Sequence, residues 1–215
     1  MRARKTTTEV RQEQIAQAAL KVVERHGLRG LNVARVAALV GVVPSGLYRH
    51  YAGKAEVLNA VLEAIAAGLA ANVARARAAG RDALDRLHRL LTLHLEMVRE
   101  RPGIPRVVFS EELLHGDPAL RRRLGAILGG YLGQVESLLR EGQQEGCIRL
   151  GPLPKTGALL FLGLIQPAIM RWTTSAGAID LAAHAEAVWP LFVRAVGSPP
   201  RTSNEPPPST LPLSS

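Results

Sequence analysis

The sequence predicts an all-α fold of about nine helices, with a three-helix N-terminal head followed by a larger helical domain. Three observations carry this prediction. Alanine and leucine, both strong helix formers, are abundant in a chain of 215 residues that is 47% apolar and only 4% aromatic. Apolar residues return at three- and four-residue spacing along most of the length. No segment sustains the apolar–polar alternation that a half-buried strand needs.

Each helix has its own signals. Thr6-x-x-Glu9 has the form of a capping box, in which hydroxyl and carboxylate each satisfy an orphan backbone donor. The first helix starts there, lines up Ile15, Ala19, Val22 and Val23, and ends at Gly27. Asn32 is a good N-cap for a second helix, in which Val33, Val36, Ala37 and Val40 share a face. Gly41 stops that helix after about two turns. Pro44 suits the first position of a third short helix over 44–50. Gly53 breaks the chain again, and a longer helix from Lys54 carries Val57, Leu58, Val61, Leu62, Ile65 and Leu69 on one side.

Beyond Gly80, Leu84, Leu87, Leu91, Leu95 and Val98 line one helix. Arg101-Pro-Gly-Ile-Pro reads as a breaker, followed by a short helical piece over 107–114 that ends at His115-Gly-Asp-Pro. Asp117 can cap the next helix, with Pro118 at its first position. That helix carries Leu120, Leu124, Ile127, Leu128, Tyr131, Val135 and Leu138, and ends near Gly146. Gly151-Pro-Leu-Pro is a further break before two apolar helices at 155–173 and 179–196. From Ser198 the composition turns to Pro, Ser, Thr and Asn, which predicts a disordered tail over 198–215. The chain thus divides into a basic arm (1–9), a head (10–70), a second domain (71–197) and the tail.

The net charge of +9 is unevenly placed. Residues 1–54 hold ten Lys/Arg against three acids, whereas the remainder is nearly balanced at 17 against 15. A positive module beside a near-neutral one fits a polyanion-binding head on a body with another task, although an Arg-rich composition alone gives the same excess. Cys147 is the only cysteine, so neither a disulfide nor a cysteine metal site can form within one chain. No metal motif, phosphate loop or Ser/His/Asp spacing is present, so neither an enzyme nor a cofactor is expected. The longest uncharged stretch has 15 residues, between Lys155 and Arg171, and falls short of the roughly 20 that span a bilayer. A cytoplasmic, soluble protein is the expectation.

Two short helices joined at Gly41 inside a basic region have the form of a DNA-reading helix-turn-helix over 33–52, though a plain helical hairpin has the same outline. The second helix must be short and exposed to enter a major groove about 12 Å wide. Ser45 and Gly46 at its start are small enough to let the backbone approach base edges. Tyr48, Arg49, His50 and Lys54 can all donate to phosphate oxygens.

The joint spacing Gly27-x4-Asn32-x3-Val36-Ala37-x3-Gly41-Val42-x4-Leu47-Tyr48-Arg49-His50-Tyr51-x2-Lys54-x3-Leu58 resembles the head of the tetracycline-repressor (TetR) family. The likeness covers about residues 10–70. It implies that Asn32 stands where a threonine meets a phosphate, and that Pro44, Ser45 and Gly46 open the recognition helix. It also implies phosphate contacts for Tyr48, His50 and Lys54, leaving Arg35 and Arg49 as candidates near base edges. Val43 departs from the family by replacing a capping serine, so that Pro44 starts the helix alone.

The second domain resembles the family only in plan. The resemblance implies that the last two helices pair with a second subunit, with Leu164, Trp172, Trp189 and Phe192 as candidate interface residues; an intramolecular core is the competing reading. A sensing pocket is expected among the middle helices, walled by Leu87, Leu91, Leu95, Phe109, Leu128, Tyr131 and Phe161, with His94 near its apolar stripe. Gly125, Gly129 and Gly133 would allow close helix packing or leave room for a ligand. His88 and His94, six residues apart, do not share a helix face, which argues against a two-histidine metal site.

The combined expectation is a homodimeric, sequence-specific transcriptional repressor on a roughly palindromic operator, with recognition helices about 34 Å apart. A small hydrophobic or amphipathic effector would release it. The alternative is a nucleoid-type DNA-binding factor without an effector.

Overall fold

The computed structural model describes residues 7–151 and 153–199, the side chains of 7–9 excepted. The Thr6/Glu9 capping box and nearly all of the tail expected over 198–215 lie outside the described residues.

Nine α-helices are described: α1 (Thr7–His26), α2 (Val33–Val40), α3 (Pro44–Tyr48), α4 (Lys54–Ala79), α5 (Ala83–Glu100), α6 (Gly103–Val108), α7 (Pro118–Glu145), α8 (Pro154–Thr174) and α9 (Leu181–Val196). The only β-type pairing among the described residues is one isolated bridge, Ile148 to Gly197. It ties the chain after α7 to the end of α9, with Arg149 N donating to Val196 O at 3.0 Å.

Asn32 and Asp117 cap their helices as expected, and Asp82 and Asp180, which the sequence reading did not single out, cap α5 and α9. The Asn32 side chain accepts from Arg35 N, Asp82 from Asp85 N, Asp117 from Ala119 N, and Asp180 from Ala182 N and Ala183 N. Gly41 ends α2 at φ 76° and Gly146 ends α7 at φ 77°, left-handed conformations that glycine adopts without a Cβ clash.

The head is α1–α3 together with the start of α4. Ile15, Ala19, Val22 and Val23 of α1 are buried with Val33, Val36, Ala37, Leu47, Val57, Leu58 and Val61. This core holds α2 and α3 against the first turns of α4. The 26-residue α4 then runs on, about 39 Å at 1.5 Å per residue, and packs on α5 and α7. Among the described residues, α4 alone passes by length and composition as a membrane span. Nine of its side chains, from Val57 to Ala76, are instead buried against the rest of the protein.

Charged groups join three helices behind the head. Arg77 of α4 donates to both Glu141 oxygens of α7 at 2.8 and 2.9 Å, and to Ser137 Oγ. Arg86 of α5 pairs with Glu145 at 2.8 Å. Burial alone would raise the Glu141 pKa. The bonds from Arg77 and Ser137 and the charges of Arg77 and Arg86 outweigh burial and hold it low.

Three expectations are corrected. The third helix stops at Tyr48 rather than 50, and Arg49 and His50 lie in the turn beyond it. The break expected at 101–105 does end α5 at Glu100, but it is confined to Arg101 and Pro102, and α6 already starts at Gly103. Pro102 is the residue before the helix and Pro105 its third position, where a missing N–H costs no hydrogen bond. The following residues, Glu112–Gly116, form a π-helical turn. Gly125, Gly129 and Gly133 neither seat a neighbouring helix nor border a cavity, because they are exposed on α7 and a Cβ at any of them would meet nothing within 4 Å. The glycines that do permit close packing are elsewhere. A Cβ at Gly103 would lie 2.4 Å from the Leu20 carbonyl oxygen, and one at Gly142 would lie 2.5 Å from Ile148 Cδ1.

Candidate nucleic-acid interface and ligand region

The recognition surface is built from the start of α2, all of α3 and the start of α4. Leu47 is buried, so it anchors α3 from beneath. Pro44, Ser45, Tyr48, Arg49 and His50 are exposed, and Tyr48 keeps 49% of its surface open. Gly46 is half-buried, and a Cβ there would touch only Val43 Cγ2 at 3.7 Å. The backbone at the start of α3 is therefore open to close approach.

The remaining expected contacts are each held by the protein. Asn32 is exposed, and with its Oδ1 capping α2, its amide nitrogen remains the group available to an acceptor. Arg35 folds back, with Nη1 donating to Gly30 O at 2.8 Å. Its guanidinium has further N–H donors besides this one. Lys54 is half-buried at the first position of α4, and its Nζ lies 3.4 Å from Glu112 Oε1. Glu112 sits in the π-helical turn of the second domain, so a carboxylate of that domain holds the ammonium that the resemblance assigns to phosphate. Sequence reasoning did not single out this partner, because the pair lies 58 residues apart.

Two clefts border α1. One, of about 650 Å³, is lined by Arg11, Ile15, Val43, Gly46, Leu47 and His50 among others. The other, of about 1080 Å³, lies between α1 and α4 and reaches Arg101. Neither is lined by the residues expected to form a sensing pocket. Leu87, Leu91, Leu95 and Phe161 are at most 2% exposed and belong to the packed core. Phe109 and Leu128 are half-buried against it.

Within this interior His94 and Tyr131 form a polar pair, with His94 Nδ1 3.1 Å from Tyr131 Oη. Burial pushes the His94 pKa down to about 4 and the Tyr131 pKa upward. At neutral pH both are uncharged, one donor and one acceptor set in an apolar surround. His94 nevertheless keeps part of its surface accessible.

Of the candidate interface residues, Phe192 alone is fully buried within the protomer and is corrected; Leu164, Trp172 and Trp189 are half-buried. Phe192 is 1% exposed and belongs to the protomer's own core, its ring 5.8 Å from Phe161 and 5.4 Å from Trp189. Trp189 stacks on His88 at 4.7 Å and on Phe192 at 5.4 Å. His88 Nε2 lies 3.3 Å from Glu186 Oε1 but lacks hydrogen-bond geometry. Leu164 is half-buried, and its carbonyl oxygen lies 2.9 Å from His184 Nε2. Trp172, also half-buried, packs over the turn between α8 and α9, beside Gly177. The apolar residues that α8 and α9 leave uncovered are Leu159, Leu160, Met170 and Leu191, each more than 40% exposed. The signal was present in the sequence, since 159, 160, 163, 167 and 170 share a helix face with no charge on it.

Known proteins share this architecture. Residues 15–61 match the model described as bacterial regulatory proteins, tetR family, and residues 65–195 match that of the YsiA-like protein, C-terminal region. Nucleoid occlusion factor SlmA of Vibrio vulnificus (strain YJ016) is 26% identical over 183 residues, 85% of this chain and 93% of that protein. SlmA of Shewanella amazonensis is 31% identical over 131 residues, 61% of this chain and 66% of that protein. Among solved structures, the fatty acid degradation regulator FadR from Bacillus halodurans superposes with a TM-score of 0.76 at 21% identity, over 88% of this chain and 96% of that one. FadR from Bacillus subtilis, in complex with stearoyl-CoA, gives 0.72 at 23% identity, over 84% and 96%. The structures establish a shared fold, and the two family models together take in the head and the second domain. The chain belongs to the TetR family of bacterial regulatory proteins, and it carries that family's DNA-binding helix-turn-helix.

Proposed function

We propose that the protein is a homodimeric repressor, released from a roughly palindromic operator when a hydrophobic or amphipathic small molecule occupies its second domain. The observation that carries this reading is the unbroken α4. Its first turn carries Lys54, which the resemblance assigns to phosphate, and its later turns pack on α5 and α7, which hold the His94–Tyr131 pair. A rearrangement of α5 or α7 around a ligand would shift α4 and the head with it. Such a ligand acts only through its differential affinity for the two states. The uncharged α8 face, with Leu159, Leu160 and Met170, supports pairing with a second copy, which would set the distance between recognition helices. The B. subtilis neighbour was solved with stearoyl-CoA, which suggests an acyl-type effector here. One polar pair in an apolar interior suits a ligand with a long apolar portion and a single hydrogen-bonding group. A cytoplasmic location and a role without catalysis follow from this reading.

The second reading is a nucleoid-type factor that binds DNA without an effector. The likeness to SlmA along 85% of the chain favours it. Titrating acyl-CoAs of graded chain length into a protein–DNA complex, followed by fluorescence anisotropy, separates the two. Saturable release that depends on chain length supports the repressor. A selective complex that none of these ligands releases supports the nucleoid factor.

A further inference from the structure

We infer that Val43 reads the C5 methyl group of a thymine in each operator half-site. This rests on α3 being the helix that enters the major groove. Val43 is the N-cap of α3, yet it makes no side-chain cap hydrogen bond. Its backbone, at φ −66° and ψ 136°, is one in which serine, threonine or aspartate would cap well. The helix therefore gains nothing from valine here.

Packing does not require it either. Val42, at the position before the cap, and the buried Leu47, at the fourth helical position, are placed as a hydrophobic staple. Val43 remains 69% exposed, beside Ser45, Tyr48 and Arg49, which are also exposed. Arg11 and His50 border the same cleft. Next to the exposed Pro44 ring, the Val43 isopropyl group is left in water on a surface that also carries Ser45, Tyr48, Arg49 and His50. Residues at the start of a recognition helix are those that reach base edges. The one apolar group that B-DNA presents in its major groove is the thymine methyl. Gly46, with only Val43 Cγ2 near its missing side chain, leaves room for the backbone to bring that methyl into contact.

The test uses the full-length protein and a site enriched from a random duplex library. Each dT of that site is replaced in turn by deoxyuridine, which removes only the methyl. For the wild type, uracil at one position per half-site should weaken binding about fourfold, and in both half-sites about fifteenfold, the loss expected for one buried methyl each. Val43→Ala should lose most of that sensitivity. Val43→Ser restores a cap and should lose it as well, although its α3 is better stabilised. Thermal melting of both variants reports their folding. The inference is overturned if no dT shows the effect, or if both variants retain it in full. A wild type that selects no sequence at all would overturn the reading of the head, and this inference with it.

Discussion

At the scale of single residues, two side chains carry predictions about charge. Lys54 is paired with Glu112, so phosphate and carboxylate compete for one ammonium. Glu112→Gln removes the competitor, and operator affinity should rise up to about fivefold at low salt, the size of a partly exposed ion pair. Anisotropy titrations check this, and an affinity that falls would mean that the pair holds the head in its binding posture. His94 predicts a pH dependence. Its folded pKa, about 4, lies below its ordinary value of 6.5, so between those values the unfolded chain binds more protons. Stability should be whole above pH 6.5, decline as pH falls toward 4, and level off below. The decline is at most about 3 kcal/mol, reduced by the part of the ring that solvent reaches. In denaturant titrations across this range, His94→Gln should flatten the slope.

At the scale of helices, two glycine substitutions should act in opposite directions. Gly103→Ala sets a Cβ against the Leu20 carbonyl and forces α6 from α1, at a cost of about 2 kcal/mol or more. Gly129→Ala meets open space on an exposed helix face and should gain up to about 1 kcal/mol. Thermal melts of the two variants give the signs directly. The helices themselves were legible wherever caps and breakers agreed, as at Asn32, Gly41, Asp117 and Gly146. Prolines misled at 101–105, since a proline that ends one helix also suits the first turn of the next. The glycine row at 125, 129 and 133 misled for another reason. Spacing places residues on one face but does not say what that face meets. In the head, the joint spacing of many residues made the surface legible, including Tyr48 and Lys54. Val43 was noted as a departure but not as a contact, because exposure is a property of the folded surface. Phe192 has the size of an interface residue, and only the arrangement of α5, α8 and α9 shows that it is buried within the protomer.

At the scale of the whole molecule, the proposed function makes operator binding depend on pairing between copies. Met170→Glu with Leu159→Glu puts two charges on the exposed α8 face and should leave the protomer folded but monomeric, as read by sedimentation. Operator affinity would then drop at least tenfold, because each head alone grips one half-site. The central claim is that the head binds double-stranded DNA by sequence. Its most direct measurement is the affinity of wild type and Tyr48→Ala for the DNA upstream of the protein's own gene and for random duplex, at several salt concentrations. The wild type should bind the upstream DNA tightly and selectively, and the variant should lose about tenfold or more. Equal affinity for every duplex, lost steeply with salt and indifferent to Tyr48, would contradict the claim.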